Sequence, residues 1–93
     1  MQGITKSEFE VGGRKFVTKA ALDRQAGRFR IWVENKDGGV VTATYPAGYL
    51  GPVEIEDSLD KLDPVENGEQ LTVDRLVKGL EERLRGYIKE GWV

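Results

Sequence analysis

The sequence predicts an α+β domain: a three- to four-stranded antiparallel sheet with one C-terminal amphipathic helix packed on one face. Three observations carry this. Apolar residues recur at helical spacing from Val73 to Ile88, two segments (Arg28 to Asn35 and Val40 to Tyr45) alternate like half-buried strands, and the "NKDGG" between them is hairpin chemistry. With 93 residues, 39% hydrophobic and 32% charged, the chain has apolar content for one core. Residues 1–93 therefore read as a single small domain with an acidic connecting segment at about 46–71.

The first element expected is a short strand, Ser7 to Val11, because "SEFEV" alternates and ends in Gly12-Gly13. The following "RKFVTKAALDRQAG" admits two readings. Thr18 can cap a two-turn helix that stops at Gly27, or Lys15 to Leu22 is a strand and "DRQAG" a loop. The strand is preferred, since an isolated short helix is marginal and a sheet needs neighbours.

Register at the next hairpin follows from burial. A type I turn over Asn35-Lys36-Asp37-Gly38, with Gly38 in the left-handed bulge position, sets Phe29, Ile31 and Val33 against Tyr45, Ala43 and Val41. A two-residue turn at Asp37-Gly38 would mix these apolar residues with the charged ones, so the bulged register is expected. It places Trp32 opposite Thr42, with Arg28, Arg30 and Thr44 on the same face. If the preceding strand pairs with Phe16, Thr18, Ala20 and Leu22 toward the core, Lys15 and Lys19 join that face, and Lys19 comes within cation–π reach of Trp32.

The acidic segment is turn-rich. In "YPAGYLGP", Tyr49 and Leu50 are expected to anchor the connection to the core, and "EDSLDKLD" suits a helical turn or two begun by Asp57 or Ser58. The last helix is expected over Thr72 to Glu90. Val73, Leu76, Val77, Leu80, Leu84, Tyr87 and Ile88 fill an arc of roughly 120°. Thr72 suits its N-cap, Asp74 to Lys78 and Glu81 to Arg85 are favourable i,i+4 pairs, and Gly91 with Trp92 suits a Schellman cap. Gly79 and Gly86 read as tolerated surface glycines.

Composition narrows the function. The chain has neither cysteine nor histidine, which removes disulfides, thiol nucleophiles, most transition-metal sites and the usual neutral-pH general base. No enzyme activity, cofactor or metal is expected. The acidic run from Glu54 to Glu69 lacks the oxygen spacing of a calcium loop. "MQGITKSEFE" has no apolar core and no run is long enough to span a bilayer, so the expected location is cytoplasmic, with no membrane partner.

Net charge is −2, but it is unevenly spread: +4 over residues 1–36, −7 over 37–72 and +1 over 73–93. The candidate binding face is Lys15, Lys19, Arg28, Arg30, Trp32, Thr42 and Thr44, since cations beside a flat ring suit phosphates and bases, or a protein hot spot. The competing reading has Trp32 covered by the 46–71 segment, whose carboxylates pair with the arginines. The leading expectation is a small, soluble, non-enzymatic interaction module that binds a protein partner or a second copy through the Trp32 face or an open strand edge. The alternative is nucleic-acid binding through the basic face.

Overall fold

A computed structural model describes residues 3–62 and 68–93. Strands β1 (Ile4–Val11), β2 (Arg14–Asp23), β3 (Arg28–Asn35) and β6 (Glu54–Ser58) form one antiparallel sheet in the order β1-β2-β3-β6. Strands β4 (Thr42–Thr44) and β5 (Leu50–Pro52) form a separate two-stranded ribbon, and helix α1 (Gly68–Lys89) packs on the sheet. The molecule is α+β, and no described helix is long and apolar enough to cross a membrane.

Gly12 (φ 57°) and Gly13 (φ 82°) both adopt the positive φ that a two-residue type I′ turn requires, and they join β1 to β2. The ambiguous second segment is a strand. Asp23 ends it by accepting the Ala26 amide at 3.0 Å, and Gly27 turns the chain into β3. Phe16, Thr18, Ala20, Phe29, Ile31 and Val33 face α1 and are buried, with Val73, Val77, Leu80 and Leu84 closing the core from the helix.

The turn after β3 has the expected form. The Gly38 amide donates to the Asn35 carbonyl at 2.9 Å, Gly38 has φ 100°, and the Glu34–Val40 bridge lies in the bulged register. The pairing then stops after Val41, which corrects the expected long hairpin. Val53 enters between the strands: the Val33 amide donates to the Val53 carbonyl at 3.2 Å and the Val53 amide to the Val41 carbonyl at 3.0 Å. From there β6 takes the place beside β3, setting Ile55 against Ile31. The exchange has an electrostatic reason, because β6 brings Glu54 and Glu56 alongside Arg30 and Arg28, where β4 would have offered only Thr42 and Thr44.

Two anchors expected in the connection are solvent-facing. Tyr49 is 66% and Leu50 64% exposed; the ribbon is instead held by Ala43 and Gly51, both buried. The expected helical turn is a 3₁₀ turn at Leu59–Lys61, with Asp57 and Ser58 still in β6. The acids Asp63 and Glu66 lie outside the described residues.

Thr72 is not an N-cap, because α1 begins a turn earlier, at Gly68; Glu69, Gln70 and Leu71 favour continuing the helix over stopping it. Its other end is the expected Schellman cap. The Trp92 amide donates to the Tyr87 carbonyl at 2.8 Å and the Gly91 amide to the Ile88 carbonyl at 3.0 Å, with Gly91 at φ 79°. A Cβ at Gly79 or Gly86 would meet open space, so neither marks a close backbone approach.

Candidate functional site

On the face of the sheet away from α1, the register gathers Lys15, Lys19, Arg28, Arg30 and Trp32. Thr42 and Thr44 are not with them; both are exposed on the β4–β5 ribbon, a consequence of β6 displacing β4. Trp32 stands opposite Lys19 on one side and Glu54 on the other.

Trp32 is only 5% exposed, and its cover is local. The backbone of Gly3 lies over the far edge of the ring, the Arg30 guanidinium stands 4.7 Å from the ring centre, and the indole N–H donates to Glu34 Oε2 at 2.7 Å. Lys19, expected to make the cation–π contact, turns to Glu34 Oε1 at 3.2 Å. A carboxylate two residues along the same strand is a stronger partner for an ammonium than a ring already stacked by a guanidinium. The Trp32 hydrogen bond foremost, then Lys19 and Arg30, hold the Glu34 carboxyl below the usual carboxylate range against the opposing effect of burial.

The arginines are engaged as well. Arg30 Nε lies 2.5 Å from Glu54 and Arg28 Nε 3.3 Å from Glu56. The acidic segment thus does pair with the arginines, but through a strand added to the sheet, and the ring itself is covered by Gly3 and the Arg30 guanidinium. By register the whole face carries four cations (Lys15, Lys19, Arg28, Arg30) against six carboxylates (Glu8, Glu10, Asp23, Glu34, Glu54, Glu56). It is not a basic surface.

Beyond β2 the face ends at the free edge of β1. A one-residue register shift between Thr5 and Ser7 turns Lys6 toward α1, where it meets Asp74 at 3.5 Å, and Ser7 donates to Glu81 at 2.5 Å. From Ser7 to Val11 pairing with β2 is regular. Because Val11 and Arg14 flank a two-residue turn they form a hydrogen-bonded pair, so Glu10–Lys15 and Glu8–Val17 are non-hydrogen-bonded pairs. The N–H and C=O groups of Glu8 and Glu10 therefore point away from the sheet, and among the described residues no strand receives them. A concavity of about 260 Å³ lies over β1 and β2, lined by Glu8, Glu10, Lys15 and Val17 with Phe9, Phe16 and Lys36. This edge was visible in the sequence only as one of several strand edges; that β1 lies at the outside of the sheet depends on strand order.

A second cluster joins the ribbon to the helix end. Tyr45 packs edge-on against Tyr87 at 5.4 Å and against Trp92 at 5.8 Å, and Arg83 donates to the Tyr87 hydroxyl at 3.0 and 3.2 Å. Burial first, then the hydrogen bond to Tyr87, raises the Tyr45 phenol. Burial also works to raise Tyr87, but the donors Arg83 and Tyr45 outweigh it and lower the phenol. The Thr44 amide reaches the Trp92 carbonyl at 2.7 Å, so this cluster serves to clamp the ribbon to the helix.

No protein-family model, curated protein or solved structure matches the chain.

Proposed function

We propose that the chain is a non-enzymatic protein-binding module that accepts an extended partner segment on the free edge of β1. The observation that carries this reading is the outward-facing backbone of Glu8 and Glu10, next to a concavity and unpaired among the described residues. Strand addition at such an edge obtains affinity from main-chain hydrogen bonds and specificity from alternate side chains. The opposite edge, β6, is shorter, and its Glu54 and Glu56 are already committed to Arg30 and Arg28.

Nucleic-acid binding at the Trp32 face has less support. Stacking needs an exposed ring and phosphate binding needs free cations, whereas this ring is covered and Lys19, Arg28 and Arg30 are in ion pairs. The test is selection of peptide ligands from a random library, followed by amide hydrogen exchange of the bound protein. Slowed exchange at Glu8 and Glu10 is expected. Ligands that leave β1 unprotected would overturn the reading, as would oligonucleotide binding at low salt that shifts Arg28 and Arg30 and disappears as salt is added.

A further inference from the structure

Resting on the β1-edge reading, we infer that the partner segment is basic: an extended stretch that alternates apolar residues with lysine or arginine. The columns of charge across the open face lead to this. From β6 inward they run acidic (Glu54, Glu56), then mainly basic on β3, with Glu34 as its one carboxylate, then mainly basic on β2 (Lys15, Lys19, with Asp23 at its end), and the outermost column is acidic again (Glu8, Glu10). Glu34, Glu54 and Glu56 have cations, but among the described residues neither Glu8 nor Glu10 has a Lys or Arg nitrogen within 4.0 Å. A strand added outside β1 places its own side chains directly opposite these two, where opposite charges stabilise and like charges repel.

On the helix side the same edge shows Ser7, Phe9 and Val11, half-buried, with Phe9 packed 5.6 Å from Phe16. That side calls for apolar residues in the added strand, which fixes the alternation. A second copy of the chain is a poor occupant. Pairing β1 antiparallel with itself while keeping Phe9 and Val11 on the helix side sets each Glu8 against Glu10 in the one register that joins Ser7–Val11 fully, and a shift of two residues either way sets Glu8 against Glu8 or Glu10 against Glu10. The two carboxylates thus repel a copy while matching a basic segment.

The probes are a seven-residue peptide of alternating lysine and valine, its counterpart with glutamate for lysine, and the lysine peptide methylated on alternate backbone nitrogens. Amide shifts are followed by NMR in titrations of the whole chain. The lysine peptide is expected to shift Glu8 and Glu10 saturably, the glutamate peptide to bind about tenfold more weakly or less, and a Glu8→Lys, Glu10→Lys variant to reverse that preference. The methylated peptide should not bind. Equal binding of both charged peptides at β1 would overturn the basic-partner inference and leave the strand-edge reading standing. If no peptide moves β1 the edge reading falls with it, and retained binding of the methylated peptide would mean charge adsorption without strand addition. Dimerisation of the free chain that protects the β1 amides would assign the edge to a second copy.

Discussion

The backbone of Gly3 lies so close to the Trp32 indole that a Cβ on Gly3 would stand 2.5 Å from Cη2 and 2.6 Å from Cζ2 of the ring. A ring that looks like a binding platform in the sequence is thereby sealed by the backbone of Gly3.

Gly3→Ala should break that seal. The methyl group cannot fit, so either the start of β1 lifts or the indole moves, at a cost of about 1–3 kcal/mol. Unfolding in urea gives the stability change, and the Trp32 emission should move to longer wavelength as water reaches the ring. An unchanged spectrum with unchanged stability would show that the contact is not tight.

Glu34 couples the face to pH. Its carboxyl is held below the usual range, so its contribution to stability is present above the unfolded-state value near pH ~4.3 and is lost as pH falls through the lower folded-state value. Glu34→Gln keeps an acceptor for the indole but loses the charge toward Lys19. It should cost about 1 kcal/mol at neutral pH and flatten the acid limb of the stability profile. The same profile in variant and parent would remove Glu34 from the account.

Thr18 is fully buried in the core, and among the described residues its hydroxyl has no hydrogen-bond partner. Valine has nearly the same shape without the group that must be desolvated. Thr18→Val should therefore raise stability by about 1–2 kcal/mol with the fold intact. Destabilisation would mean that the hydroxyl is satisfied in solution.

Ala47 is the one non-glycine among the described residues with positive φ, at φ 68° and ψ 14°, in the turn between β4 and β5. Left-handed backbone costs an L-residue roughly 1–2 kcal/mol. Glycine removes that strain but adds about 0.4–1 kcal/mol of unfolded-state entropy. Ala47→Gly should come out stabilising by about 0.5 kcal/mol, read as a small rise in the thermal midpoint, and a fall would contradict the strained geometry.

Much of the fold is local chemistry and was legible as such. The stripe from Val73 to Ile88, the Gly91–Trp92 cap, the Gly12-Gly13 turn and the bulged turn at Gly38 each depend on residues within a few positions of one another. The candidate face was legible in part, because Lys15, Lys19, Arg28, Arg30 and Trp32 follow from strand alternation and one register. Thr42 and Thr44 were misplaced because nothing near them in the chain announces that Glu54 to Ser58 will take their position beside β3. Glu8 and Glu10 gave no signal beyond alternation.

The sequence by itself determined the helical stripe and its C-cap, the turns at Gly12-Gly13 and Gly38, and which side of β2 and β3 is apolar, since these rest on short-range sterics, capping and period. Only the tertiary structure decided which strand neighbours which, that Trp32 is covered, and that β1 stands at an edge of the sheet. Those outcomes come from competition between distant segments for the same hydrogen bonds and charges, with the carboxylates of β6 outbidding the threonines of β4 for the arginines of β3.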